Sequence, residues 1–214
     1  LERYPSIPEE KLKVIHGGVD LERFHPCSPG VIKERYELND YLLCVGEVRP
    51  YKNMENVFRA LELWSDGPQL AISGKIFGNH KAKLENLARS LNIENRVIWL
   101  GYVPDDLLPN LYSEAAAFIF PSLYEGFGLP ILEAMACGCP TLSSNMASLP
   151  EIGGKAAHFF DPMEIGDMAE AIKKVCEDSV YRQKLAQGGP KHAKKFSWES
   201  STKKHMELFE TVLN

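Results

Sequence analysis

Short apolar runs alternate with amphipathic stretches along most of this 214-residue chain. The runs are continuously apolar, which is typical of strands that are buried on both faces of a sheet. Strands are predicted at residues 13–16, 41–45, 69–73, 97–100, 118–120, 141–143 and 157–160. Because helical stretches separate most of these strands, neighbouring strands are expected to run parallel. The sequence therefore predicts an α/β, Rossmann-like fold, a doubly wound parallel sheet with helices on both faces.

Helical spacing of apolar residues predicts the crossover helices and a helical last third. The predicted helices cover residues 54–64, 81–91, 105–115, 131–137, 164–177, 180–186 and 198–212. Residues 188–190, Gly-Gly-Pro, are expected to break the helical region, because glycine and proline both oppose helix formation. Residues 196–198, Phe-Ser-Trp, mark a second break, at which Ser197 is a suitable N-cap for the last helix.

Composition narrows the class of protein. The net charge is −5 and the basic residues are scattered, so we expect no nucleic-acid partner. We find no apolar run of membrane-spanning length and no signal-peptide pattern. The five cysteines are odd in number and lack framework spacing, which indicates reduced thiols and a cytoplasmic protein. Residues 137–139, Cys-Gly-Cys, lack partner ligands at zinc spacing, so no metal is expected.

The most informative motif follows a predicted strand and leads into a predicted helix. It is residues 125–134, Glu-Gly-Phe-Gly-Leu-Pro-Ile-Leu-Glu-Ala. Gly126 and Gly128 allow the backbone to approach a ligand closely, and the helix start favours an anion, usually a phosphate. Glu125 and Glu133 flank that position, where carboxylates are suited to accept hydrogen bonds from sugar or ribose hydroxyls. One loop therefore predicts both halves of a nucleotide-sugar site.

Candidate cations follow other strands at the same edge of the predicted sheet. Ligands bind at the carboxyl ends of the strands in folds of this type. Arg49 and Lys52 follow Gly46 in a strand-to-helix loop, and two cations beside a glycine suit a diphosphate leaving group. Lys75 has the same geometry after the next strand, and Tyr102 follows the strand after that.

Each of these residues also has a purely structural interpretation. A lysine is by default a solvated surface charge, and both glutamates could be surface carboxylates near a helix start, where the dipole favours them. Glu133, however, is flanked by apolar residues, and a buried carboxylate needs a partner. His16, in Ile-His-Gly-Gly, is better interpreted as a hydrogen-bonded turn histidine than as a catalytic one. The remaining histidines lack metal-ligand spacing.

These motifs together resemble those of a known family. They are similar to the C-terminal, donor-binding domain of retaining family 4 glycosyltransferases, which have the two-domain GT-B fold. The resemblance covers nearly the whole chain, in blocks at residues 14–24, 46–52, 95–102, 111–112, 121–138, 149–151 and 196–199. Glu125 and Glu133 match the family's Glu-x₇-Glu signature. Glu47 stands where an arginine is common, so Arg49 is the candidate substitute, and His16-Gly17 stands where Pro-Asn is common.

The resemblance implies a role for each candidate residue. Glu133 would bind the nucleotide's ribose hydroxyls, Glu125 would contact the transferred sugar, and Lys52, with Arg49, would neutralise the departing diphosphate. The remaining donor-binding residues would be Gly46, Lys75, Tyr102, Gly126, Phe127, Gly128 and Leu129. No cofactor or metal is expected. The implied reaction is transfer of a hexose from GDP-mannose or a UDP-hexose, with retention, to an acceptor glycan or lipid-linked sugar.

The resemblance also implies a partner domain. An N-terminal GT-B domain would bind the acceptor saccharide, and this chain would begin at the interdomain segment. We therefore expect a donor-binding domain over residues 1–196, and over residues 197–214 a helix that crosses to the missing domain. The chain alone should bind donor without efficient turnover, and any peripheral contact with the inner membrane face would come through the missing domain. The alternatives are a non-catalytic nucleotide-binding module and a GT-B epimerase.

Overall fold

The structure, a computed structural model, describes residues 8–76 and 78–213. Within these ranges one parallel sheet is built from β1 (Tyr41–Val45), β2 (Gln69–Ser73), β3 (Val97–Gly101), β4 (Ala117–Phe120), β5 (Thr141–Ser144) and β6 (Ala157–Phe160). The strand order is β3-β2-β1-β4-β5-β6, and every neighbouring pair is parallel. This doubly wound order confirms the predicted Rossmann-like fold.

One helix precedes the first strand, and the others connect the strands or follow the last of them. They are α1 (Val31–Tyr36), α2 (Met54–Glu62), α3 (His80–Ser90), α4 (Leu108–Ser113), α5 (Leu129–Ala136), α6 (Leu149–Gly153), α7 (Ile165–Glu177), α8 (Ser179–Ala193) and α9 (Trp198–Leu213). The short helices α1 and α6 have no counterpart among the predictions, because five or six residues carry too little periodicity. In the described part of the chain, each helix is too short or too polar to span a bilayer.

Each face of the sheet carries its own hydrophobic core, because successive side chains of a strand point to opposite faces. On β1, Tyr41 and Leu43 join the core under α1, α4, α5 and α6. Leu42 and Cys44 join the other core, under α2, α3 and α7. These four side chains are all buried. Burial on both faces explains why the strands read as continuous apolar runs rather than as alternating patterns.

The strand predicted at residues 13–16 is wrong. The segment is irregular, and a strand requires a neighbour with which to form a ladder. It lies instead beside the helices that follow β5 and β6. His16 Nε2 is 2.7 Å from Glu151 Oε1 on α6, and the Val19 N–H donates to the carbonyl of Phe196, just before α9.

The break predicted at residues 188–190 is also wrong, because α8 continues through them to Ala193. Gly189 is buried where α8 crosses α5. A Cβ at this position would lie 2.9 Å from the Met135 carbonyl oxygen and 3.1 Å from its Cα. The glycine therefore permits close helix packing, and that packing outweighs the intrinsic cost of glycine and Pro190 in a helix. The second predicted break is confirmed, since Ser197 Oγ accepts from the Ser200 N–H at 3.1 Å.

The division into a domain over residues 1–196 and a tail over residues 197–214 stays a prediction, and residues 1–7 and 214 lie outside the described ranges. Along α9 the one buried residue of the described part is Ser201. Met206 and Phe209 are 53% and 54% exposed. An apolar helix surface of this kind suits the predicted contact with a further domain.

We predict opposite effects for alanine at the two adjacent glycines of α8. Gly189→Ala should lower the free energy of unfolding by about 1–3 kcal/mol, because its methyl group is forced against Met135. Gly188→Ala is the matched control. Nothing lies within 4 Å of a Cβ there, so the alanine should stabilise the helix by about 0.5–1 kcal/mol. Urea denaturation of both variants measures the difference, and shifts of the same sign would contradict the packing role of Gly189.

Candidate functional site

The candidate site lies at the carboxyl edge of the sheet between β1 and β4. From β1 the sheet extends through β2 to β3, and from β4 it extends the opposite way through β5 to β6. Connections that diverge in this manner leave a crevice between the two central strands. The loops beside it cover residues 46–53 and 121–128. They touch directly, since the Leu123 N–H donates to the Tyr51 carbonyl at 2.8 Å.

Glycines follow β1 and β2, so no side chain projects from the backbone at these two positions of the edge. Gly46, after β1, has φ 123°, and its N–H donates to the Ser73 carbonyl at 2.9 Å. Gly74, after β2, has φ 137°, and a Cβ there would lie only 2.0 Å from the Gly46 carbonyl oxygen. The space that a Cβ would occupy at Gly46 itself is open. The backbone at Gly46 can therefore be approached closely by a ligand.

Lys52 and Glu125, which are predicted on separate loops, form an ion pair in the crevice. Lys52 Nζ lies 2.6 Å from Glu125 Oε1, and the two side chains are only 15% and 16% exposed. The ammonium also lies 4.6 Å from the centre of the Phe120 ring, at the end of β4. An ammonium has three N–H donors, so Lys52 can donate to a second anionic group while it contacts Glu125.

The loop between Glu125 and α5 is held in a defined shape. Ser148 Oγ donates to the Glu125 carbonyl at 3.0 Å, and Gly128, with φ 97°, is the N-cap of α5. Phe127 anchors the middle of the loop, because its ring packs 6.2 Å from those of His16 and Phe196. Its neighbours are more open: Gly126 is exposed and the Leu129 side chain is 37% exposed. The loop therefore presents backbone and the positive end of the α5 dipole to the crevice.

Glu133 lies one turn into α5 and has a partner that the sequence analysis missed. The Tyr112 hydroxyl, on α4, donates to Glu133 Oε2 at 2.9 Å. Burial raises the pKa of Glu133, while the Tyr112 hydrogen bond and the charge of Arg23 lower it and the Asp105 charge raises it. The apolar flanks of Glu133 indicate that it needs a partner, but no local pattern shows which residue of another helix supplies it.

Three other predicted residues lie along the same edge but outside the central crevice. Arg49 Nε donates to Glu47 Oε2 at 2.7 Å, so the candidate substitute cation is paired with the glutamate that stands where an arginine is common. The Lys75 carbonyl accepts from the Val48 N–H at 2.9 Å, which places Lys75 beside the loop after β1. Lys75 and Tyr102 line a second cleft, at the ends of β2 and β3. The Tyr102 side chain is 76% exposed.

Two groups with potential chemistry of their own have structural surroundings. His16 is hydrogen-bonded to Glu151 and packs against Phe196, as expected for a turn histidine. Cys137 and Cys139, at the end of α5, are 2% and 1% exposed, and burial raises the pKa of Cys137 to about 12. A thiol with so high a pKa is a poor nucleophile at neutral pH. The pair is therefore best described as small apolar core residues.

Comparison with known proteins links this fold to sugar transfer. Residues 32–192 match the family model of the glycosyl transferases group 1. The O-antigen chain mannosyltransferase B of Escherichia coli is 36% identical over 190 residues, which cover 87% of this chain and 50% of that protein. The D-inositol 3-phosphate glycosyltransferase of Corynebacterium jeikeium is 33% identical over 217 residues, covering 94% of this chain and 52% of that protein. The chain thus spans about half the length of these relatives.

Solved structures show the same fold. The Anabaena protein HepE, in complex with UDP, has a TM-score of 0.85 at 24% identity, covering 96% of this chain and 59% of that one. The sucrose-phosphate synthase of Thermosynechococcus elongatus has a TM-score of 0.84 at 24% identity, covering 99% of this chain and 56% of that one. At this identity the likeness concerns the fold alone. It confirms that the sheet and its helices have the architecture of one half of a GT-B fold.

Proposed function

Because this chain belongs to the glycosyl transferases group 1 family, we propose that it is the donor-binding half of a retaining hexosyltransferase of family 4. Its donor is a nucleoside-diphosphate hexose, either GDP-mannose or a UDP-hexose. Its acceptor is a glycan or a lipid-linked sugar. The observation that carries the proposal is the Lys52–Glu125 pair at 2.6 Å, which places a cation and a carboxylate side by side in the central crevice.

The proposed donor pose follows the distribution of charge along the edge. The diphosphate lies against Lys52, over the Gly46 backbone and the start of α5, because these groups supply positive charge and N–H donors. The ribose hydroxyls donate to Glu133, and the hexose hydroxyls donate to Glu125. The backbone of residues 126–129 encloses the sugar, and Lys75 and Tyr102 lie toward the base. HepE, with the same fold, has been solved with UDP and with UDP-glucose, which supports a nucleotide-sugar ligand.

The proposed reaction exchanges one bond at the anomeric carbon for another. The bond from that carbon to the diphosphate oxygen breaks, and a bond to the acceptor hydroxyl oxygen forms on the same face. The reaction passes through an oxocarbenium-like state at the anomeric carbon. The proton of the acceptor hydroxyl passes to the departing diphosphate. Negative charge grows on the leaving oxygen, so the Lys52 ammonium stabilises the transition state more than the ground state. We propose that this cation and the α5 dipole replace a metal ion.

We predict that the chain binds one nucleotide base and that Glu133 is required for this binding. Calorimetric titration with GDP, UDP, GDP-mannose and UDP-glucose should give clear heat for one base only. Glu133→Ala should then weaken binding about tenfold to a hundredfold, because hydrogen bonds to a charged acceptor are lost. Glu170→Ala, at an exposed glutamate of α7, is the control and should bind as the native chain does. Equal binding by both variants would contradict the proposed ribose contact.

We predict that the two members of the central ion pair affect nucleoside diphosphate binding in opposite directions. Lys52→Gln should weaken it about tenfold or more, because the Glu125 carboxylate then faces the diphosphate alone. Glu125→Gln should strengthen it several-fold, because the phosphates no longer compete with a carboxylate for Lys52. The probe is GDP or UDP without sugar, which leaves the hexose contact of Glu125 out of the measurement.

The control for this pair is a second ion pair of similar length at the opposite edge of the sheet. Asp40 immediately precedes β1, and its Oδ1 lies 2.7 Å from Lys33 Nζ. Asp40→Asn makes the same change in net charge as Glu125→Gln, and it should leave diphosphate affinity unchanged. Weaker binding by Glu125→Gln, or equal strengthening by Asp40→Asn, would contradict direct competition at Lys52.

Transfer itself is tested by supplying the second half of the enzyme. We expect the 214-residue chain to bind donor without efficient transfer, and a fusion to the N-terminal half of a relative to transfer hexose. Proton NMR of the first product should show the donor's anomeric configuration, and EDTA should not slow the reaction. Efficient transfer by the chain alone would contradict the division of labour between halves, and an inverted product would contradict retention. Binding by the fusion without transfer would favour a nucleotide-binding module.

A further inference from the structure

The aromatic ring of Tyr112 packs in the hydrophobic core, whereas its hydroxyl contacts Glu133 of the candidate site. Its ring is fully buried and makes edge contacts with Phe118 at 5.4 Å and with Phe24 at 6.1 Å. Core packing on both sides fixes the ring, and with it the direction of the hydroxyl. That hydroxyl donates to Glu133 Oε2 at 2.9 Å, across the boundary between α4 and α5.

We propose that Tyr112 is a positioning residue for donor binding, which occupies one oxygen of Glu133 and directs the other toward the nucleotide's ribose. The inference rests on the proposed function, since the ribose contact of Glu133 is part of it. Among the described residues, the Tyr112 hydroxyl is the hydrogen-bond partner of the Glu133 carboxylate, at Oε2, and the side chain is half-buried on α5. A hydrogen bond at one oxygen restricts the rotamers of the Glu133 side chain before a ligand arrives, which lowers the entropy lost on binding.

The same hydrogen bond favours the ionised form of Glu133. Burial raises the pKa of this carboxyl, and the Tyr112 hydroxyl is the largest influence that lowers it, ahead of the charge of Arg23. The other titratable groups that face the pair are Asp105, before α4, and the thiols at the end of α5. Burial and the carboxylate raise the pKa of Tyr112 well above its usual range. The Tyr112 hydroxyl therefore stays protonated throughout the titration of Glu133.

The chain offers a matched control in Tyr41. It is also fully buried in the same core, and its hydroxyl donates to the Leu111 carbonyl at 2.8 Å, one residue before Tyr112. Replacing either tyrosine by phenylalanine removes one buried hydroxyl and preserves the ring. The two variants should therefore lose similar stability, while only Tyr112→Phe deprives Glu133 of a donor.

The first measurement needs no ligand. In a chain labelled with ¹³C at the glutamate side-chain carboxyls, the Glu133 signal is assigned by its loss in Glu133→Gln and followed across a pH titration. Tyr112→Phe should raise the titration midpoint by about one pH unit or more, because the charged form loses its hydrogen bond. Tyr41→Phe should leave the midpoint in place. An unchanged midpoint in Tyr112→Phe would overturn the inference.

The second measurement is the affinity for the nucleotide that the native chain binds, at pH values on both sides of that midpoint. Tyr112→Phe should weaken nucleotide binding about tenfold at the alkaline end of the range. As the pH is lowered and Glu133 becomes protonated, the affinity of this variant should begin to fall at a higher pH than that of the native chain. Tyr41→Phe should match the native chain. A shifted midpoint with native affinity would overturn the positioning role. If the native chain binds no nucleotide, the proposed function fails, whereas the titration of Glu133 still decides whether Tyr112 controls that carboxyl.

Discussion

The pairing of β1 with β4 at the centre of the sheet brings together the two loops that carry Lys52 and Glu125. These strands are in parallel register, Leu42 beside Ala117 and Leu43 beside Phe118, although more than 70 residues separate them in the sequence. Because the sheet extends in opposite directions from this pair, the two following loops meet over a crevice that no crossover covers. The contact between Lys52 and Glu125 is a direct consequence. The local sequence around either residue gives no indication that the two are in contact.

Helix α5 connects this crevice to both the core and the far side of the molecule. Its N-terminus faces the crevice, Glu133 lies one turn further along it, and its later residues pack against α8 at Gly189. A helix so apolar is stable because it is buried, but burial disfavours the charge on Glu133. The Tyr112 hydroxyl offsets part of that cost without adding a second charge. The site and the core are thus parts of one packing arrangement.

Much of this arrangement could be predicted from sequence because burial on both faces leaves a clear pattern. The central strands read as apolar runs, and the rule that ligands bind at their carboxyl ends places Gly46, Lys52 and Glu125 at one edge. The failures have a common cause. Residues 13–16 have strand-like composition but no neighbour to pair with, and Gly189 looks like a helix breaker until the close approach of α5 is known. Both outcomes depend on contacts between segments distant in sequence, as does the choice of Tyr112 as partner of Glu133.

The carboxylates of Glu125 and Glu133 have chemically different partners, and this difference agrees with the roles proposed for them. Glu125 is paired with a cation, so a diphosphate that approaches Lys52 changes the surroundings of Glu125 directly. Glu133 is held by a neutral hydroxyl within the core side of α5, where an arriving phosphate does not displace its partner. In the proposed donor pose, the first arrangement would couple the sugar end of the site to the charge of the leaving group. The second would fix the ribose end independently of that charge, so that the nucleotide could stay in place while the bond to the hexose breaks.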